Sequence, residues 1–325
     1  MRRREFIALL GSATAAWPLA VRAQAAVPMV GFMAAGSRAA LRDELEAFEA
    51  GLKQLGFFPG QNVALEYRFA AGQYERFQEL AADLVRRQVS VLAVSSPPGA
   101  LAPKRATTTI PIVFSIGADP VAAGLVPTLS RPGGNITGIY QFTTGLEAKR
   151  LGLLHEMVPK VETIGVLVNP SYPAADSQIR DVGEAATSLR VQLVIVRANK
   201  ENEFDAAFST VVSQRAGALL VCASPFFNAT RQQLILLAAR HGLPAIFEWR
   251  DYAAAGGLMS YGTDLSEAYH QVGVYAARII KGEKPSDLPI VQSTKFEFVI
   301  NLSTAKALHI EVPPTLSARA DEIIE

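Results

Sequence analysis

The sequence has few of the residues that metal and redox chemistry require. Its 325 residues include one cysteine, Cys222, which excludes an intramolecular disulfide, a cysteine-rich zinc site and an iron–sulfur cluster. The four histidines, at positions 155, 241, 270 and 309, are not paired at a metal-ligand spacing. Neither a Gly-x-Ser-x-Gly elbow nor a phosphate-binding Gly-Lys-Ser/Thr motif occurs. The sequence therefore predicts no metal, no cofactor and no catalytic residue.

The chain also lacks an excess of charge of either sign. Lys and Arg number 31 against 30 Asp and Glu, a balance that argues against a nucleic-acid partner. Half of the residues are hydrophobic and 19% are charged, which is typical of a globular protein. A length of 325 residues exceeds one ordinary core, so we expect two domains.

The N-terminus has the pattern of an export signal. Three arginines at positions 2–4 precede an uncharged stretch over 6–21, and the small residues Ala23 and Ala25 follow. This pattern predicts a signal peptide over 1–25, cleaved near Ala25, and an exported mature protein. The stretch is too short for a typical transmembrane helix. The arginines fit a twin-arginine signal, and they equally fit an ordinary Sec signal with an extra arginine, so both export routes remain open.

Beyond Val27, short β-rich runs alternate with amphipathic helical patterns, which predicts an α/β fold with parallel sheets. Strands are expected at 30–33, 63–69, 91–94, 112–114, 136–140, 163–168, 193–196, 218–222 and 245–247. Helices are expected at 41–55, 74–87, 146–157, 175–189, 204–214 and 230–241. Two segments recur in the same order: 92–97 resembles 220–225, and 110–114 resembles 243–247. The repetition predicts two Rossmann-like lobes of similar topology.

Parallel sheets bind ligands at the carboxyl ends of their strands, and a cleft between domains is a common ligand site. The candidate residues at these strand ends are Ser37, Ser95, Ser96 and Asp119 on one wall, and Asn169, Ser171, Tyr172, Ser224, Phe226, Glu248 and Tyr261 on the other. Their hydroxyl, amide, carboxylate and aromatic groups suit a small polar ligand with an apolar or aromatic part.

Several of these residues have a structural interpretation as well. Ser95 and Ser96 suit an anionic group of the ligand, and they equally suit the cap of the helix that begins at the following prolines. Asp119 suits a ligand ammonium group or the cap of the next helix, whereas Glu248 directly follows a buried strand and is the better ammonium partner. The aromatic side chains suit stacking on a ligand ring or packing in the core. Cys222 lies in an apolar strand and is expected to be buried and inert.

Six stretches carry a family resemblance that spans nearly the whole chain beyond the signal peptide. They are Ile110–Phe114, Asp119–Val126, Arg131–Gly138, Ile279–Pro285, Phe298–Ala305 and Val312–Pro314. With them the chain resembles the ABC-transporter substrate-binding proteins of the periplasmic binding protein type I fold, tryptophan/tyrosine-type (TrpX-like).

The resemblance implies a monomeric, non-enzymatic periplasmic protein that binds a small ligand between two lobes and delivers it to an ABC permease in the inner membrane. Three crossovers would join the lobes, with 26–141 and about 263–290 in the first lobe, and about 142–262 and 291–325 in the second. The loops that hold Ser95, Ser96, Asp119 and Gln141 would line one wall of the cleft, and those that hold Asn169, Ser177, Ser224 and Glu248 would line the other.

One segment departs from the family pattern. Amino-acid-binding members carry an Asp-Asn pair where this chain has Ser224-Pro225-Phe226, and the aspartate would hold the ligand's amino group. An amino acid, an aromatic acid and another small carboxylate therefore all remain open as ligands. Two other functions are also open: a periplasmic sensor for a signalling receptor, and an exported α/β hydrolase or isomerase with Glu248 or Asp119 as its base.

Overall fold

The computed structural model describes residues 27–325; the predicted signal peptide and its cleavage site near Ala25 lie outside these residues. Within them the chain forms thirteen strands and twelve α-helices. Every predicted strand and helix is present, with ends within about three residues of the predicted ones. No helix in the described part of the chain is long and apolar enough to cross a membrane.

The strands form two sheets. The first contains β1 (Met29–Ala34), β2 (Ala64–Phe69), β3 (Val91–Ser95), β4 (Ile112–Ile116), β5 (Ile136–Tyr140) and β11 (Val291–Gln292). The second contains β6 (Thr163–Val168), β7 (Gln192–Arg197), β8 (Ala218–Val221), β9 (Ala245–Phe247), β10 (Met259–Thr263), β12 (Phe296–Asn301) and β13 (Glu322–Ile324).

The helices cover both faces of these sheets. They are α1 (Arg42–Gln54), α2 (Phe77–Arg86), α3 (Pro97–Ala106), α4 (Glu147–Met157), α5 (Ala175–Leu189), α6 (Phe204–Ser213), α7 (Pro225–Ala229), α8 (Arg231–Arg240), α9 (Arg250–Ala254), α10 (Leu265–Ile280), α11 (Leu302–Ala307) and α12 (Pro314–Ser317). Because both faces are covered, strands such as β3 and β4 are buried along their whole length.

The two sheets share one topology. Their strand orders are β2-β1-β3-β4-β5-β11 and β7-β6-β8-β9-β10-β12-β13, so the first five strands of each correspond. Among the described pairings only β10 with β12 is antiparallel. The segments that recur in the sequence are β3 with β8 and β4 with β9, which occupy equivalent positions. The predicted pair of lobes with parallel sheets is therefore confirmed. Cys222 directly follows β8 and is buried in the core, as expected.

The chain passes between the sheets after β5, after β10 and after β11, and the three crossings lie side by side. The Thr263 hydroxyl donates a hydrogen bond to the Gln141 carbonyl, and Lys295 Nζ lies 2.6 Å from the Asp264 carboxylate. Since β11 pairs with β5, residues 291–292 belong to the first sheet, slightly beyond the predicted return to the second lobe at 291.

Helix α10 follows β10 of the second sheet but packs on the first. It crosses α1 at Gly51 and Gly273, where the two backbones touch. A Cβ atom at Gly51 would overlap the carbonyl oxygen of His270, and one at Gly273 would overlap that of Phe48. This close crossing fixes the start of both helices beside the strand ends of the first sheet.

Candidate functional site

A cavity lies between the two lobes, at the carboxyl ends of their parallel strands. It encloses about 590 Å³ of space between protein atoms, open solvent at its mouth included. Its polar and aromatic wall consists of Glu44, Ser95, Ser96, Ser115, Gln141, Thr143, Tyr172, Ser224, Asn228, Glu248, Trp249 and Tyr269. Its apolar wall includes Leu41, Pro225 and Leu265.

Six of the residues predicted from the sequence line this cavity. They are Ser95, Ser96, Gln141, Tyr172, Ser224 and Glu248. All six are buried, with Glu248 only 2% exposed and Tyr172 3% exposed. They come from both sheets, so the strand-end argument located the cavity between the lobes.

Two predicted residues of the first lobe are exposed and stabilise turns instead. Ser37 Oγ accepts a hydrogen bond from the Ala40 N–H at 3.2 Å. Asp119 Oδ1 accepts from the N–H groups of Val121 at 2.7 Å and Ala122 at 3.2 Å. Asp119 therefore stabilises a turn and does not cap a helix, because no helix lies between β4 and β5, and neither side chain belongs to the cavity wall.

Three predicted residues of the second lobe, Asn169, Ser171 and Ser177, are not part of the cavity wall. Asn169 Nδ2 donates to Ser224 Oγ at 3.0 Å, and Asn169 Oδ1 accepts from the Ser171 N–H at 2.9 Å. Ser177 Oγ donates to the Ala174 carbonyl at 2.8 Å. Asn169 therefore affects the cavity only by orienting the Ser224 hydroxyl.

The predicted aromatic residues Phe226 and Tyr261 pack in the core rather than line the cavity. The Phe226 ring lies 5.6 Å from those of Phe204 and Phe227. The Tyr261 ring stacks on Phe296 with a centroid separation of 6.2 Å. Only Tyr172 of the three predicted aromatic residues faces the cavity.

Six polar or aromatic wall residues were not predicted from the sequence: Glu44, Ser115, Thr143, Asn228, Trp249 and Tyr269. Glu44 lies in the first turn of α1, which follows β1, and Trp249 directly follows Glu248, so both carried a positional signal. Tyr269 lies on α10, whose crossing to the first lobe has no signature in the local sequence.

Buried polar atoms without a hydrogen-bond partner are concentrated around this cavity. Within residues 27–325 they include both carboxyl oxygens of Glu44 and of Glu248, Thr143 Oγ1, Asn228 Oδ1 and Trp249 Nε1. Nearly all buried polar groups in folded proteins are paired, and an unpaired one costs about 1–3 kcal/mol. The cavity wall therefore presents a set of donors and acceptors that a bound molecule would satisfy.

The two carboxyl groups of the wall are hard to ionise because they are buried. Burial raises the pKa of Glu248 well above its usual range, and the positive charge of Arg150 opposes the rise. Burial also raises the pKa of Glu44 to about 7, with Arg231 acting in the opposite direction. A cationic or proton-donating group beside either carboxyl would favour its ionised form.

A buried ion pair supports the wall from the second lobe. Arg150 and Glu147 are both fully buried and lie 3.0 Å apart. Arg150 donates to the carbonyl oxygens of Tyr261 at 3.0 Å and Thr143 at 2.9 Å. Glu147 accepts from the Ala223 N–H at 2.8 Å. The pair thus fixes the backbone at both Thr143 and Ala223, which line the cavity.

The Ser95–Ser96 loop acts as a helix cap. Ser96 Oγ accepts from the Gly99 N–H at 3.2 Å at the start of α3, and the Ser96 N–H donates to the Ser115 carbonyl at 3.2 Å. Pro97 has no N–H. Ser96 has φ of 72° and ψ of 148°, a region that residues other than glycine rarely adopt. The capping interpretation is confirmed, and these amides are already engaged.

The lobes contact each other at the cavity. Tyr74 Oη, from the first lobe, accepts a hydrogen bond from the Phe226 N–H at 3.0 Å. Arg231, from the second, donates to the Ala40 carbonyl at 3.1 Å. These two hydrogen bonds join the lobes beside the cavity. No group of three or more His, Cys, Asp or Glu within 27–325 is arranged to hold a metal ion.

Comparison with known proteins identifies the family. A family model described as ABC transporter substrate binding protein matches residues 30–324, so the chain belongs to this family. A tyrosine-binding protein of Clostridioides difficile is 26% identical over 266 residues, covering 82% of this chain and 76% of the relative.

Two solved structures extend the comparison. An ABC domain from Streptococcus pneumoniae in complex with L-Trp is 22% identical and superposes with a TM-score of 0.82, covering 91% of this chain and 99% of that one. The ligand-free, open structure of CD0873, a substrate-binding protein with adhesive properties from Clostridium difficile, is 26% identical, with a TM-score of 0.66 over 92% of this chain and 99% of that one.

Proposed function

We propose that this member of the family is an exported periplasmic protein that captures a small ligand between its lobes and delivers it to an ABC permease. The observation that carries the proposal is the concentration of unpaired buried polar atoms around one interlobe cavity. In this proposal the first lobe comprises 27–141 and 265–292, and the second comprises 142–262 and 296–325.

The ligand we infer is a small aromatic compound with an amino group. Tyr172, Trp249 and Tyr269 supply aromatic surface, and Glu248 supplies a carboxylate for the amino group. Glu248 would thereby replace the aspartate that this chain lacks at Ser224-Pro225-Phe226. The tyrosine-binding relative and the L-Trp complex support an aromatic ligand.

The unpaired carboxyl groups of the cavity also support closure by hinge motion. In an open form, water would hydrate the carboxyl groups of Glu44 and Glu248, whereas the closed form buries them without partners. A ligand that pairs with them removes this cost and so favours closure. The contact between Tyr74 and Phe226 would add to the closed state only.

A thermal-shift screen of mature protein that has been unfolded and refolded free of ligand tests this function. The panel contains amino acids, aromatic amines, aromatic acids and sugars. A ligand at 100 times its Kd adds about 2.7 kcal/mol, a rise in Tm of roughly 5–10 °C for this size. Glu248→Gln should reduce the rise, while the exposed control Glu184→Gln should not. A panel without any shift would contradict the proposal, and turnover of a compound would indicate an enzyme.

A further inference from the structure

The charged side chains of the cavity wall are all of one sign. Glu44 and Glu248 line the cavity, and no Lys, Arg or His is among its lining residues within 27–325. Glu44 belongs to α1 of the first lobe and Glu248 follows β9 of the second. They are 3% and 2% exposed, and neither carboxyl group is paired with another side chain of the described chain. Each lobe thus presents one carboxyl group that can accept hydrogen bonds from a ligand.

The two cations nearest the wall are already committed to the protein. Arg150 is fully buried and donates to Glu147 and to two backbone carbonyls. Arg231 donates to the carbonyls of Ala40 and Asn228. Neither guanidinium lines the cavity, so neither is available to neutralise a ligand carboxylate.

Several amides of the loops at the ends of β3 and β8 are already engaged. The N–H groups of Ser96 and Gly99 are engaged as described above, and a proline follows both Ser96 and Ser224. In the second loop the Phe226 N–H donates to Tyr74 Oη. A ligand carboxylate at these loops would meet hydroxyl groups and no cation, with two carboxyl groups in the same cavity.

The two carboxyl groups occupy different surroundings. The charges that act on Glu44 include Asp251 and Arg231, whereas Arg150 and Glu147 act on Glu248. Glu44 belongs to α1 of the first lobe, and Glu248 follows β9 of the second. Two separate donor groups on one ligand would match the wall better.

We propose, resting on the solute-binding function above, that the ligand is an arylalkylamine without a free carboxylate. Its ammonium group and a second donor, a phenol hydroxyl or an indole N–H, bind the carboxyl groups of Glu44 and Glu248. An amino acid differs from such an amine by one carboxylate, for which the wall offers no cation. Once the ligand's ammonium group favours their ionised form, Glu44 and Glu248 repel that carboxylate and so select against it.

Calorimetry with matched compounds tests this inference. The pairs are tyramine with tyrosine and tryptamine with tryptophan, and 4-hydroxyphenylacetate supplies the carboxylate without the amine. We expect each amine to bind at least about tenfold more tightly than its amino acid, and the acid not to bind. Tighter binding of the amino acids or of the acid would overturn the inference and leave the solute-binding function standing. Failure of every compound in both pairs would also overturn it, and the broader thermal-shift panel then judges the function separately.

Two variants separate this mechanism from a structural effect. Glu44→Gln and Glu248→Gln keep the shape of the side chain, and each should weaken amine binding by about tenfold or more while reducing the preference for amine over amino acid. The exposed control Glu184→Gln should change neither quantity. A preference that stays the same in both cavity variants would overturn the assignment of the two carboxyl groups, whatever their effect on stability.

Discussion

Replacing Arg150 by methionine should destabilise the second lobe strongly. The guanidinium is fully buried, pairs with Glu147 at 3.0 Å and donates to the carbonyls of Tyr261 and Thr143. The methionine of Arg150→Met fills much of the same space but leaves the Glu147 charge and both carbonyls without these partners. Breaking a buried ion pair on one side costs about 3–5 kcal/mol. For a lobe of this size, that is a fall in Tm on the order of 10 °C.

The assay is urea unfolding followed by the fluorescence of Trp249. It is the only tryptophan outside the predicted signal peptide, and it lies in the second lobe. Arg180→Met removes one partner of an exposed pair with Asp181 and serves as the matched control, with an expected change below about 0.5 kcal/mol.

The double variant Glu147→Gln/Arg150→Met tests whether the unpaired charge of Glu147 causes the loss of stability. It removes both charges, so it should recover more than half of the stability that Arg150→Met loses, because no unpaired buried charge remains. A loss below about 1 kcal/mol in Arg150→Met would refute the reasoning. A double variant that is as unstable as Arg150→Met would refute it as well.

Three further substitutions have definite expected outcomes. Gly51→Ala should lower the free energy of unfolding by more than about 2 kcal/mol, measured in urea, because its Cβ overlaps the His270 carbonyl; an unchanged value would contradict the close helix crossing. Glu44, with a pKa of about 7 when buried, holds a proton that the open, hydrated form releases above about pH 4.5, so a rise in pH from 5 to 8 should cost the closed form of the ligand-free protein up to about 3 kcal/mol relative to the open form, measured by small-angle scattering. Glu44→Gln should lack that part of the loss, and identical pH profiles would contradict the burial of the carboxyl group. Tyr74→Phe leaves the Phe226 N–H without its acceptor in the closed form, so calorimetry should give an affinity about tenfold weaker with little change in the unfolding of either lobe; unchanged affinity would contradict a role in closure.

The fold could be predicted because its signals are local. Alternation of short apolar runs with amphipathic helices located the strands up to β9, and the repeat of β3 in β8 revealed the second lobe. The course of α10 could not be predicted in this way. Its packing on α1 depends on the meeting of Gly51 with Gly273, which are 222 positions apart in the sequence.

The cavity was predicted in part, for a related reason. Residues at strand ends, such as Ser95 and Glu248, were found because parallel strands end at one edge of a sheet. Glu44 and Tyr269 lie on helices and reach the cavity through tertiary packing. Asp119 also follows the end of a strand, as the wall residues do. Its carboxylate accepts hydrogen bonds from two N–H groups of its own turn, however, and therefore does not line the cavity.

Small-angle scattering on refolded mature protein, with and without saturating tyramine or the panel compound with the largest thermal shift, tests the central claim most directly. If the ligand binds between the lobes and satisfies Glu44 and Glu248, the ligand-free protein is open and the radius of gyration falls on binding. In the Glu44→Gln variant the radius of gyration should fall less when the ligand is added. A radius of gyration that stays constant while calorimetry records full occupancy would contradict closure around the ligand.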